Sequence, residues 1–235
     1  MYRIMLPIAM LLTVGACAPS VDPAAKASID QWAAGIQGSD VSYDDQGLQI
    51  AKPKIGQWAE YKDIDGDGTV SRRMQKVVGV EGDAYWIETE SETVSGKMIM
   101  KALIAMQDWS RPDTLEIRRV ISQQPGQQAQ EMPALLANAV AKPVTSAFTS
   151  TGQGVNGPVE TVTVPAGTFA AHKIANQGVN IPLIGDTSGT SWVNTAVPLS
   201  ATVKIESNNG YRSELVRFGE TGAKSAITGP VQSTF

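Results

Sequence analysis

From residue 55 onward, apolar and polar residues alternate with a period of two over most of the chain, which predicts β-strands with one buried and one solvated face. Strands are predicted over 57–62, 69–80, 84–94, 97–107 and 114–122. Short polar turns separate them, among them Asp63-Ile64-Asp65-Gly66-Asp67-Gly68, Glu81-Gly82-Asp83 and Ser95-Gly96. Five consecutive strands joined this way form an antiparallel meander. The periodicity then switches. The segment EMPALLANAVA, residues 131–141, has Pro133 near its start and Leu135, Leu136, Ala139 and Val140 on one stripe, which predicts a short buried helix. After a Ser/Thr/Gly-rich loop over 144–157, strands resume over 159–164, 169–176, 190–194, 201–207 and 211–218.

Both ends read differently. Residues 18–49 are rich in Ala, Ser, Asp and Gly, with only a weak helical pattern at Ile29, Trp32 and Ile36, and read as a flexible stalk able to hold one short helix. The tail after Gly222 has few apolar residues and is expected to be loose. The expected fold is mainly β, of the α+β class: a curved antiparallel sheet, or half-barrel, wrapped around the inserted helix. The expected organisation is a signal peptide over 1–16, a stalk over 17–50, the β domain over 51–221 and a tail over 222–235.

Composition narrows the partners. With 42% hydrophobic and 18% charged residues, the chain has enough apolar material for a core, which excludes wholesale disorder. A net charge of −4 with no Lys/Arg-rich block argues against a nucleic-acid partner. One cysteine, Cys17, and one histidine, His172, exclude a disulfide framework and a Cys/His zinc site within a single chain.

The first sixteen residues, MYRIMLPIAMLLTVGA, carry Arg3, an apolar run and then small residues, the outline of a secretory signal. The apolar run is too short to span a membrane, which needs about 20 such residues. Val14-Gly15-Ala16-Cys17 resembles the lipobox of bacterial lipoproteins. That resemblance implies a diacylglyceryl group on the Cys17 thiol, cleavage just before it and acylation of the new amino terminus, a two-signal attachment that holds firmly to a bilayer. Ala18 in place of aspartate implies delivery to the outer membrane. Ala16-Cys17-Ala18 also satisfies the small-x-small rule for ordinary cleavage, which would release a soluble protein. The position of the single cysteine favours lipidation.

The run Glu160-Thr161-Val162-Thr163-Val164-Pro165-Ala166-Gly167-Thr168-Phe169, with His172-Lys173-Ile174, Ser191-Trp192-Val193 and Val197-Pro198-Leu199, is similar to a pattern in uncharacterised periplasmic lipoproteins, whose sheet resembles the half-barrel of lipoprotein carriers such as LolA and LolB. This is a likeness of fold and implies little about activity. Read from the residues alone, Pro165 with its fixed φ and Gly167 with positive φ predict a type II turn between two strands.

Four groups of residues could carry chemistry. Asp63, Asp65 and Asp67, with Gly68, match the first half of a calcium loop, D-x-D-x-D-G, but position 12 is Met74 instead of a bidentate Glu, and the flanks alternate like strands. A solvated hairpin loop explains the same residues. His172 lacks a G-x-S-x-G partner and sits in a predicted strand, so it reads as a structural histidine, and no catalytic residue is assigned. Glu88, Glu90 and Glu92 alternate with Ile87, Thr89 and Ser91 like the solvent face of a strand. Met98 and Met100 share a strand face, Met74 and Met106 are expected near them, and Met132 opens the predicted helix. Such soft side chains could line a concave face that holds a hydrophobic ligand, or could simply fill gaps under the helix. Trp58, Trp86, Trp109 and Trp192 read as core anchors. The expected protein is a non-enzymatic lipoprotein on the periplasmic face of the outer membrane, without a cofactor, that binds a lipid-like ligand or an envelope protein. Its alternatives are a structural or interaction lipoprotein of the cell envelope with a filled core and, third, a binding domain braced by calcium at Asp63, Asp65 and Asp67.

Overall fold

The computed structural model describes residues 21–47, 51–108, 114–133, 157–176, 180–181, 185–186 and 188–233. Cys17, Trp109 and residues 134–141 of the expected helix lie outside them. The fold is mainly β, built on an open, curved sheet of 12 strands.

One helix, α1 (Pro23–Ala34), comes first. Asp22 caps it by accepting from Ala24 N, Pro23 takes a first-turn position where no N–H is needed, and Gly35 ends it. The short strand β1 (Ser42–Tyr43) follows. The meander is β2 (Trp58–Ile64), β3 (Val70–Glu81), β4 (Ala84–Thr93), β5 (Gly96–Met106), β6 (Leu115–Gln123) and β7 (Gln130–Glu131). Each pairs antiparallel with the next. Glu131 therefore belongs to an edge strand and not to the start of a helix. The second half contains β8 (Val159–Val164), β9 (Gly167–Asn176), the small β10 (Asn180–Ile181) and β11 (Gly185–Asp186) pair, β12 (Gly189–Val193), β13 (Thr202–Ser207) and β14 (Arg212–Gly219).

The two halves join because β14 pairs with β2, bringing Leu215 opposite Tyr61. The resulting order is β1-β9-β12-β13-β14-β2-β3-β4-β5-β6-β7, with β8 paired only to β9. The β8–β9 hairpin folds back so that Ala166 N donates to Leu215 O at 3.1 Å. Phe169, Val162, Val164 and Ala171 thereby close on Ala59, Tyr61, Val203 and Leu215 to form the main core. Phe169, Tyr61 and Leu215 are fully buried and anchor it.

The hairpin corner differs from the type II expectation. Val164 pairs with Gly167, so Pro165 and Ala166 are the two loop residues, and Ala166 does not take positive φ. Gly167 does, at φ 138°, and a Cβ there would lie 2.4 Å from Val41 O. The glycine admits the backbone that precedes β1.

The described residues of both end segments lie on the sheet. Asp22 N donates to Val94 O at 2.7 Å, Ile29 is buried, and α1 packs on β3 and β4. Ser39 N donates to Pro165 O, and β1 adds in parallel to β9. At the other end, Ala223 N donates to Gly56 O, and Gln232 exchanges backbone hydrogen bonds with Ala129 and Glu131. Within the expected stalk and tail, the described residues 21–47 and 222–233 are thus segments laid on the sheet. They were illegible as such because polar bonds, not apolar side chains, hold much of their length.

What they cover is the face that reads as solvent-exposed. Residues opposite each other across neighbouring strands share a face, and Glu60, Met74 and Glu90 form one such row, as do Trp58, Lys76 and Glu88. Glu60 and Glu88 on this face are fully buried, and Lys76 is 4% exposed. Glu88 accepts from Ser225 Oγ at 2.5 Å and Ala226 N at 2.8 Å, and pairs with Lys76 Nζ at 2.7 Å. Glu90 pairs with Lys76 and Lys97, and Glu92 with Arg72. Alternation alone cannot tell a solvated polar face from one whose charges are neutralised by cross-strand partners and a covering chain.

Candidate functional site

The site starts from a bulge. In β14, Leu215 lies opposite Tyr61 and Arg217 opposite Glu60, so Val216 is an extra residue between them. A bulge locally breaks the in-and-out alternation. Val216, Arg217 and Phe218 consequently all line one cleft. The facing wall comes from the N-terminal segment. Gly35 ends α1 just past Ala34, donating its N–H to Gln31 O and Trp32 O, and the chain then runs through Ile36 to the hydrogen bond between Ser39 and Pro165.

The cleft has a volume of about 460 Å³; Trp32, Ile36, Tyr43, Pro165 and Phe218 line it together with Gln37, Ser39 and Arg217, and its open surface is more polar than apolar. In size it falls within the range of about 300–1,000 Å³ spanned by small-molecule sites. Tyr43 stacks on Phe169 at 4.4 Å with 9° between the rings, and Phe218 tilts against both. This aromatic cluster ties one wall to the core, which makes it rigid.

Arg217 is the one charged residue among the described cleft lining. Its side chain is 59% exposed, while its Nε donates to the fully buried Glu60. A guanidinium has five N–H donors, and Glu60 uses the inner one. Glu60 is also held by Arg72 at 2.5 Å, and Arg72 in turn lies under the Trp32 ring at 5.5 Å and reaches Glu92 at 3.2 Å. Burial lowers the pKa of Arg72, and the charges of Glu60 and Glu92 more than offset this, leaving it raised. The buried carboxylate therefore orients two arginines, one of which opens onto the cleft.

The residues singled out by sequence are placed elsewhere. Met98, Met100 and Met106 share one face of β5, where Met98 is exposed and Met106 buried. Met74 is on the opposite face, since it shares a row with Glu60 and Glu90 and Glu90 lies opposite Ile99. Met132 follows β7, with its N–H donated to Val120 O. The five methionines therefore do not line one pocket. The expectation failed on strand parity, which puts residues on neighbouring strands on opposite faces when the register differs by one.

The three aspartates do not converge either. Asp63 lies in β2 and is spent on Arg73, at 2.7 Å, and on Ser213 Oγ, at 2.6 Å. Burial works against the charge on Arg73, and Asp63 more than compensates, so the Arg73 pKa is raised. Asp67 accepts from Thr69 N and shapes the turn, which lowers its pKa. Asp65 is shifted upward by burial and by its two acidic neighbours. Among the described residues no three His, Cys, Asp or Glu side chains form a group able to hold a metal ion. Hairpin geometry and one buried ion pair account for the motif.

His172, in β9, has Nε2 2.9 Å from Asp45 Oδ1 and Nδ1 3.2 Å from Gly157 O. Both ring nitrogens face oxygen acceptors within the fold. The pair clips the segment after β1 to the sheet, helped by Asn194 Nδ2 donating to Asp44 O. The hydrogen bond from Gly47 N, and then that from His172, hold the Asp45 carboxyl below its usual range. Of the tryptophans, Trp192 is a core residue whose indole donates to Glu160, whereas Trp58 is only half-buried.

No family model and no curated protein matches this chain. Two solved structures resemble it. A protein from Bacteroides fragilis, described as exported and as having a YmcC-like fold, is 12% identical, with a TM-score of 0.35 over 74% of this chain and 99% of its own. A protein from Parabacteroides distasonis, described as a lipoprotein, is 14% identical, with a TM-score of 0.32 over 74% of this chain and 100% of its own. Neither protein is described as a LolA or LolB carrier. The functional reading rests on this chain's own residues.

Proposed function

We propose that this chain is a lipid-anchored lipoprotein of the bacterial envelope, tethered at Cys17 to the periplasmic face of the outer membrane, and that it is a non-enzymatic binding module for a hydrophobic ligand. The observation that carries the binding role is the cleft of about 460 Å³ between the end of α1 and the bulge of β14, walled by Trp32, Ile36, Tyr43 and Phe218. Its walls are braced by the Tyr43–Phe169–Phe218 cluster, so a ligand would meet a preformed site instead of ordering one.

The tether would be short. The fold is already engaged at Asp22, five residues beyond Cys17, and an extended chain spans at most about 3.6 Å per residue. That keeps the domain within about 20 Å of the acyl chains, where a hydrophobic ligand would be at hand.

The test is binding of 1-anilinonaphthalene-8-sulfonate and of dodecyl maltoside to the mature domain, followed by fluorescence and calorimetry. Saturable binding at one site, weakened at least about tenfold by Trp32→Ala and Phe218→Ala, is the expected result. Binding that is absent, or indifferent to both substitutions, would leave the alternative of a structural lipoprotein.

A further inference from the structure

The cleft sits against a fixed charge. Arg217 is the one charged residue among its described lining, and its Nε is bound to Glu60, a carboxylate with no exposed surface. An arginine on a surface strand ordinarily sweeps many rotamers and loses that freedom on meeting an anion. Here the freedom is already lost. Glu60 is fixed from the other side by Arg72, whose guanidinium is in turn stacked by Trp32, a residue of the cleft wall itself. The second tryptophan nearby, Trp58, lies 5.9 Å from the Arg217 guanidinium and is hydrogen-bonded through its indole to Thr221 O. The guanidinium is thus held between a buried carboxylate and a ring, with its outer N–H groups on the exposed side.

Among the described lining residues there is no acidic group to compete. Apart from Arg217 they comprise apolar and aromatic residues, two glycine or alanine positions, Gln37 and Ser39. A neutral apolar ligand would gain nothing from the outer donors of Arg217, whose side chain is 59% exposed and stays hydrated. A cationic one would meet like charge. A carboxylate or phosphate would receive two parallel N–H bonds from the planar fork, the geometry in which arginine is strongest.

We infer that the cleft selects single-chain amphiphiles bearing an anionic head group, with Arg217 as the specificity-determining residue and Glu60 as the residue that positions it. The apolar chain lies along Trp32, Ile36, Tyr43 and Phe218, and the head group caps the guanidinium. This rests on the cleft being the ligand site, and the experiment separates the two claims.

The probes are dodecanoate, dodecyl phosphate, dodecyl maltoside and dodecyltrimethylammonium, each below its micellar concentration, titrated calorimetrically into the mature domain at neutral pH. Dodecanoate or dodecyl phosphate should bind about ten- to a hundredfold more tightly than dodecyl maltoside, and the trimethylammonium compound most weakly. Which of the two anions is preferred distinguishes a fatty carboxylate from a phosphate head. Arg217→Gln should abolish the anionic preference, and a far-ultraviolet circular dichroism spectrum like that of the wild-type chain shows that the variant is folded. Arg217→Lys should retain part of the preference, because a point charge remains without the fork. Equal binding of anionic and neutral probes to the wild-type chain, or an anionic preference that survives Arg217→Gln, overturns the inference and leaves the hydrophobic-ligand reading standing. Failure of all four probes to bind overturns both.

Discussion

Replacing Glu88 by alanine tests whether the C-terminal segment is clamped by charge. Glu88 is fully buried in β4 and holds three donors: Lys76 Nζ at 2.7 Å, Ser225 Oγ at 2.5 Å and Ala226 N at 2.8 Å. Glu88→Ala removes all three and leaves Lys76, whose side chain is 6% exposed, with Glu90 and the Lys224 carbonyl. Breaking a buried ion pair costs about 3–5 kcal/mol when the survivor is stranded. Lys76 keeps two partners, which puts the expected loss near the lower end, about 3 kcal/mol. With a urea m-value of about 2–3 kcal/mol/M, the unfolding midpoint should fall by about 1 M. Hydrogen exchange read at Ala226 should accelerate toward the unprotected rate, since its N–H has lost the carboxylate acceptor. Glu88→Gln, which keeps an acceptor and the shape, should lose less than the alanine variant. The double change Lys76→Met with Glu88→Leu should recover most of the stability while leaving the tail released, because an apolar pair needs no desolvation of charge. A midpoint within about 0.2 M of wild type for Glu88→Ala, with Ala226 still protected, would show that the tail is held by something other than this carboxylate.

Four further outcomes are expected. Phe169→Ala, which opens a cavity at the centre of the core and removes the ring stacked on Tyr43, should cost about 3–5 kcal/mol in urea unfolding. Gly167→Ala meets both positive φ and a backbone oxygen 2.4 Å away, so it should cost at least about 1–3 kcal/mol and speed exchange of the Thr168 amide, which donates to Val41 O. For Glu90, burial raises the pKa but the hydrogen bonds from Lys76 and Lys97 lower it further, and Arg119 lowers that of Glu131. Folded values below the unfolded value of about 4.3 mean that this stability is present above that pH and lost as pH falls through the folded values. The urea midpoint should therefore drop below about pH 4.5, and less steeply in Glu90→Gln. Finally, Cys17→Ser should move the protein from the membrane fraction to the soluble fraction, and its retention in the membrane would refute the lipid tether.

The strands were legible because their signals are local. Period-two alternation needs only neighbouring residues, and turns such as Glu81-Gly82-Asp83 carry their own backbone preferences, so the residues of the meander and of β8, β9 and β12 to β14 follow from the chain read a few residues at a time. The cap and stop of α1, Asp22 and Gly35, are local in the same way. Tertiary structure alone decided what each face meets. Glu88, Glu90 and Glu92 have the same alternation whether water or a covering chain lies over them, and the chain that covers Glu88 arrives from Ser225 and Ala226, 137 and 138 residues away. The methionines were separated by register, which is a property of strand pairs and not of any one strand. Arg217, Trp32, Tyr43 and Phe218 carried no motif. They meet only because β14 closes on β2 and the N-terminal segment folds across the β8–β9 corner, a juxtaposition set by long-range pairing that no local pattern encodes.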